Sequence, residues 1–99
     1  MNSIIQQDND VCFLCGGGQG IEALDKHHIF SGALRKKSEK YGLTVYLHHS
    51  KCHIFGENSV HANREIREKL SAYAQKKAME IYNWTTEDFI QIFGRSWIE

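Results

Sequence analysis

All three cysteines and all six histidines of this 99-residue chain fall between Cys12 and His61. They run Cys12-x-x-Cys15, His27-His28, His48-His49-x-x-Cys52-His53 and His61. A tetrahedral zinc site takes four sulfur or imidazole ligands, commonly as two pairs spaced so that both side chains of one turn reach the same ion. Cys12 and Cys15 make the first pair. His49-x-x-Cys52 repeats their spacing, which gives a Cys3His site as the expectation, with His48 as the alternative to His49 at one residue wider. Three cysteines cannot all pair with one another, and a Cys-x-x-Cys in a reducing compartment reads as a metal knuckle or a redox motif before it reads as a disulfide. The glycines that follow, Gly16-Gly17-Gly18-Gln19-Gly20, allow the backbone to fold back so that amides face the sulfurs. The same run lacks the Lys-Ser/Thr ending of a phosphate-cradling loop.

A chain of this length is one small domain, and at 41% hydrophobic residues it is globular. Small cores are marginal, so a metal that clips loops together is a useful supplement. No apolar run approaches the roughly 20 residues of a membrane span, and the first residues carry neither a basic nor an apolar leader. The expectation is a soluble, cytoplasmic protein with no membrane partner.

Net charge is zero, yet the charges are segregated. Residues 1–25 carry Asp8, Asp10, Glu22 and Asp25 with no Lys or Arg, a net −4. Residues 26–53 carry Lys26, Arg35, Lys36, Lys37, Lys40 and Lys51 against Glu39 alone, a net +5. The positive segment also holds the paired histidines, as an enzyme acting on a polyanion requires.

Residues 1–10 are polar apart from Ile4-Ile5 and read as a loose or lightly docked terminus. Ile21 to Ile29 is a candidate strand, in which alternation would turn His27 and His28 to opposite faces unless a bulge brings them together. Ser31 to Tyr41 reads as helical or loop-like and basic, closed by Gly42. Leu43 to Leu47 is the strongest strand, β-branched and aromatic, delivering His48 and His49. Ile54 to Ser59 reads as a turn. A long helix follows from about His61 or Asn63 to Tyr82, with an apolar stripe of Ile66, Leu70, Tyr73, Ala74, Ala78 and Ile81. Ser59 or Asn63 caps its start and Asn83 ends it. A second helix, capped by Thr85 or Thr86 with acids in its first turn, runs to about Phe93 and stops at Gly94. Phe89, Ile92, Phe93, Trp97 and Ile98 are expected to pack on the long helix.

Once zinc has its four ligands, His27, His28, His53 and His61 remain. His53 follows a zinc-binding cysteine, so a zinc that joins the two segments brings it near His27-His28. Phosphodiester hydrolysis needs a neutral imidazole to deprotonate water and a divalent ion to stabilise the phosphate and the leaving oxygen.

The chain resembles the HNH endonucleases in Cys12-x-x-Cys15, Leu24-Asp-Lys-His27-His28-Ile29-Phe30 and Leu47-x-x-x-x-Cys52-His53. Lys37 to Leu47, Val60-His61-Ala62-Asn63, the Ala-, Gln- and Lys-rich helix and Trp84 to Gly94 are similar to small standalone proteins of this type found in phages and prophages. The resemblance covers nearly the whole chain. It implies an α+β fold, a ββα-metal (His-Me finger) core over residues 11–62 wrapped by a zinc knuckle, with C-terminal helices over 63–99. It also implies a metal-dependent endonuclease that nicks or breaks DNA. His27 would be a ligand of the catalytic Mg²⁺, Mn²⁺ or similar divalent ion, His28 the general base, His53 a second ligand and His61 a further ligand or phosphate contact. Lys26, Arg35, Lys36, Lys37 and Lys40 would track the DNA backbone. Phage proteins are implied as further partners of a monomer or homodimer.

Two departures from the family pattern stand out. No Asn occurs between His28 and Cys52 to orient the base, and Thr44 sits nearest that place. His48-His49 stands where a cysteine is usual. The alternative expectation is therefore a catalytically weak or inactive zinc module that binds nucleic acid or a phage or host protein.

Overall fold

A computed structural model describes residues 2–18, 22–54, 56–57 and 59–98. Gln19, Gly20, Ile21, Phe55 and Asn58, on which parts of the expected glycine turn, first strand and Ile54 to Ser59 turn fall, lie outside the described residues.

Two five-residue strands, β1 (Leu24–His28) and β2 (Thr44–His48), pair antiparallel. The register runs without a bulge from Leu24 opposite His48 to His28 opposite Thr44. β2 starts one residue later than the composition suggests. Leu43 is instead the hinge into the strand, its N–H donating to the Ser38 carbonyl and its carbonyl accepting from Ile29. Between the strands, Ser31 to Tyr41 resolves into a 3₁₀ turn (Gly32–Leu34) and the short helix α1 (Arg35–Lys40). Fully buried Ser38 ties α1 to the sheet: its hydroxyl donates to the Leu43 carbonyl at 2.6 Å and accepts from the Phe30 N–H at 3.2 Å.

Residues 2–10, expected loose or lightly docked, are pinned along the outer edge of β2. The Gln6 side chain accepts from the Tyr46 N–H (2.7 Å) and donates to the Val11 carbonyl (2.6 Å), and Phe13 donates to the Tyr46 carbonyl (2.8 Å). Unpaired edge groups must be satisfied somewhere, and here the terminal segment does it. Gly42 permits the approach: its φ is +73°, and a Cβ there would sit 2.7 Å from the Asn2 carbonyl oxygen.

β2 runs directly into a π-helical turn (His49–Ile54). The long helix α2 (Arg64–Tyr82) begins at Asn63, whose side chain accepts from the Ile66 N–H, and ends at Asn83 in the left-handed region. Helix α3 (Thr86–Phe93) starts with a reciprocal Thr85–Asp88 capping box and ends at Gly94. Such caps contribute about 1 kcal/mol each.

The apolar stripe on α2 is narrower than its periodicity suggests. Tyr73 and Ile81 are 42% and 50% exposed, while the buried face is Leu70, Ser71, Ala74, Gln75 and Ala78. Small residues let α2 lie close to its neighbours, and the amide of Gln75 is satisfied by the Ser96 hydroxyl and the Trp97 N–H. Phe89 and Phe93 are buried as expected and close on Phe30 and Trp97, beside Leu43, Val45, Leu47 and Val60. Ile92 is partly buried against this core, and Ile98 is half-buried. The result is a small α+β protein. Among the described residues no helix is long and apolar enough to cross a membrane.

Candidate metal centres

The end of β2 and the π-helical turn place two sets of metal-binding atoms on either side of one short segment. Cys12, Cys15, His48 and Cys52 bring three sulfurs and one imidazole nitrogen within 4.8 Å of one another, close enough to hold a metal such as zinc. Here the sequence expectation is corrected: the imidazole is His48, not His49. Neighbouring strand residues face opposite ways, and His48 points toward the knuckle, which Phe13 fastens to β2. A π turn closes one residue wider than an α turn, so the four-residue step from His48 to Cys52 returns to the same side.

The donor chemistry fits a cation. His48 Nδ1 lies 3.2 Å from Cys15 Sγ, while its Nε2 is 2.8 Å from the Gly18 carbonyl. That carbonyl can only accept, so it fixes the N–H on Nε2 and leaves the lone pair on Nδ1 facing the sulfurs. Burial pushes the Cys12 thiol up, but N–H groups of Cys15 and His48 aimed at its sulfur outweigh burial and bring it down to about 7. Burial, and then the neighbouring Cys12 sulfur, push Cys52 up to about 12. Sulfurs that compete in this way for negative charge are relieved together by a divalent cation.

On the opposite side, His27 Nδ1 lies 3.2 Å from His53 Nε2, and His61 Nε2 lies 3.1 Å from the same atom. Asp25 Oδ2 accepts from His53 Nδ1 at 3.0 Å, so the proton of His53 sits on Nδ1 and its Nε2 presents a lone pair. One lone pair cannot satisfy two imidazoles well, whereas a divalent cation satisfies all three nitrogens at once. His27 is 5% exposed, and its Nε2 is buried without a hydrogen-bond partner. Burial, reinforced by His53, His61 and His28, pushes its pKa down to about 3, so it stays neutral and available as a ligand. Burial and His53 push His61 the same way.

His49 stands apart from both sets of ligands just described. Its Nδ1 lies 2.6 Å from Asp25 Oδ2, so one carboxylate holds His49 and His53 together. Asp25, His49 and His53 form a third, more open group of potential ligand atoms. Burial pushes the Asp25 carboxyl up, but its bonds to His53 and His49 outweigh that and hold it below the usual carboxylate range.

His27 and His28 do turn to opposite faces, yet both border one cleft of about 390 Å³, together with Lys26, Arg35, His53 and His61. No bulge is needed, because no other strand among the described residues pairs with the outer edge of β1. His28 Nε2 lies 2.7 Å from Glu39 Oε1, and Lys26 Nζ lies 3.0 Å from the same oxygen. Thr44 is opposite His28 in the register, but its hydroxyl is buried without a partner, and the side chain that bonds to His28 is Glu39. Among the basic residues, Lys26 and Arg35 border the histidine cleft and Lys36 an adjoining hollow. Lys37 instead donates to the Ile92 carbonyl at 2.7 Å, and Lys40 lies over the Tyr41 ring, 5.3 Å from its centroid.

Three carboxylates that the sequence offers only as charges prove to be the supports of the site. Asp25 and Glu39 hold histidines, and Glu22 accepts from the N–H groups of Ser50 (2.9 Å) and Lys51 (3.0 Å), fixing the first turn of the segment that carries Cys52 and His53. The bond from the Lys51 N–H chiefly holds the Glu22 carboxyl below its ordinary value. The only sequence signal for Asp25 is its two-residue step to His27, which puts both on one face of β1. No protein-family model matches this chain, and neither a curated protein nor a solved structure matches it.

Proposed function

We propose that this chain is a metal-dependent endonuclease of HNH type, in which β1, β2 and the π-helical turn serve as the ββα-metal core and the Cys3His cluster holds a structural zinc. The observation that carries the reading is the convergence of His27 Nδ1, His53 Nε2 and His61 Nε2 in a cleft that His28 also borders. The three imidazoles would hold the ion, and His28 would act on the water.

A bound divalent ion such as Mn²⁺ or Mg²⁺ would supply charge to the phosphate and the leaving 3′ oxygen. An all-imidazole set suits Mn²⁺ and later transition ions better than Mg²⁺, which prefers oxygen ligands. With its Nε2–H directed at Glu39, His28 keeps the Nδ1 lone pair to take a proton from water. The Glu39 carboxylate then stabilises the imidazolium, as the acid of a catalytic triad does. Lys26 and Arg35, at the rim of the cleft, contact phosphate oxygens of the DNA. Phage or prophage proteins are the natural setting for such a chain by its sequence resemblance.

The missing Asn favours a second reading, a zinc module that binds nucleic acid or a protein without cutting. Plasmid cleavage by the zinc-loaded chain with added Mn²⁺ or Mg²⁺ separates the two. Wild type should nick or linearise the plasmid, and His28→Ala should lower the rate by about 10²- to 10⁴-fold, the usual contribution of a general base. Equal behaviour of the two proteins removes the nuclease reading.

A further inference from the structure

The histidine cleft leaves the C-terminal third of the chain without a chemical role. A second cleft there, of about 350 Å³, is bordered by Arg64, Arg67, Arg95, Ser31 and Trp97. Its one acidic neighbour, Glu68, is engaged with Arg64 Nε at 3.0 Å. The balance of charge is therefore positive, in a part of the molecule that the linear charge pattern does not mark as basic.

Two contacts join this cleft to the histidine cleft. Ser31 borders both. Arg67 Nη1 reaches the carbonyls of Val60 (3.2 Å) and His61 (3.5 Å), which places its guanidinium against the backbone of a member of the histidine trio. At the far side the Arg95 guanidinium lies over the Trp97 ring, 4.8 Å from its centroid. Trp97 is itself fixed by its N–H to Gln75 Oε1 at 2.6 Å and by the Phe30 ring. Planar guanidinium groups suit the forked oxygens of phosphodiesters, and an aromatic ring paired with arginine suits a nucleotide face.

We propose that the groove of Arg64, Arg67, Arg95 and Trp97 binds the sugar–phosphate backbone of the nucleic-acid strand leading away from the scissile phosphate, with Arg64 and Arg95 as its phosphate contacts. The proposal rests on the nuclease reading of the adjoining cleft for the position of that phosphate, but its chemistry is binding and is tested as such. It takes the strand across α2 and the chain after α3, where the sequence pattern alone would place it along α1. Arg67 also holds the loop that carries His61, so Arg64 and Arg95 are the residues to change.

The test is a salt titration of binding to a fluorescent DNA duplex, read by anisotropy, with zinc-loaded chain carrying His28→Ala so that the strand survives. Each phosphate contact contributes about 0.9 to the slope of log affinity against log salt. The pair Arg64→Gln and Arg95→Gln should lower the slope by about two and weaken binding about tenfold or more at low salt. Arg64→Lys with Arg95→Lys, which keeps the charges, should retain most of the slope. A slope untouched by the glutamine pair overturns the proposal, as does a chain that binds no DNA and captures only protein. Failure of the wild type to cut a plasmid strikes instead at the nuclease reading, and the slope still reads out the groove.

Discussion

Glu39 Oε1 lies 2.7 Å from Nε2 of His28, joining helix α1 to the end of β1 across a gap of eleven residues in sequence. Buried Ser38 makes the contact possible, since it locks α1 to the turn before β2 and leaves its neighbour Glu39 directed at the histidine. Removing the carboxylate leaves the imidazole in place but releases its tautomer and orientation. Glu39→Gln is expected to lower the cleavage rate about ten- to a hundredfold, with KM, zinc content and melting temperature little changed. Steady-state kinetics on a nicking substrate decide the matter, and an unaltered kcat would show that His28 needs no such support.

Adjacent histidines give a sharp test of the zinc assignment. His48→Ala should lose the metal and much of the fold, because structural zinc contributes on the order of 10 kcal/mol to small metal-dependent domains. His49→Ala should keep one zinc per chain, measured by elemental analysis of the purified protein, because His49 bonds to Asp25 rather than to the sulfurs. The opposite pattern would return the ligand role to His49.

Asp25 supports the histidine trio without joining it. Asp25→Asn removes the charged acceptor that fixes the His53 proton on Nδ1. Affinity for Mn²⁺ at the trio, followed by calorimetry on zinc-loaded protein, should fall about ten- to a hundredfold while the zinc stays in place. Unchanged Mn²⁺ affinity would mean that packing alone orients His53.

Acid should weaken the fold through His27. The unfolded chain takes up a proton near pH 6.5, whereas the folded one resists until about 3. Between those values the unfolded state binds more protons, so stability is whole above about pH 6.5 and falls as pH drops toward 3. For zinc-loaded protein without added divalent ion, the loss should be on the order of 1 kcal/mol per pH unit below 6.5. Urea midpoints at several pH values measure it. A His27→Gln chain should show a flatter dependence, and parallel curves for the two proteins would rule out His27 as the source.

Most of the helices were legible because their signals are local. Asn63, Asn83, the Thr85–Asp88 box and Gly94 act on the turns they adjoin, and each does in space what it announces in sequence. The division of the histidines was legible only in outline. His48 and His49 differ in sequence by one position, and the choice between them rests on strand alternation and on a π turn that composition does not signal. Tyr73 and Ile81 follow the helical period, yet they stay exposed because Gln75, polar but fully satisfied, occupies the buried face. Glu22, Asp25 and Glu39 were invisible as functional groups, since a carboxylate that supports a histidine looks in sequence like any solvated charge.

Cys52 and His53 are consecutive residues, one turned to the sulfur cluster and the other to the histidine trio. A single peptide bond therefore couples the two clusters, so that a shift of the turn at Cys52 is felt at His53. The same turn is held by Glu22, which accepts from the Ser50 and Lys51 N–H groups, and by Asp25, which accepts from His53. If the two clusters hold the ions proposed for them, withdrawing the metal from the sulfur cluster would also loosen the histidine cradle one residue away.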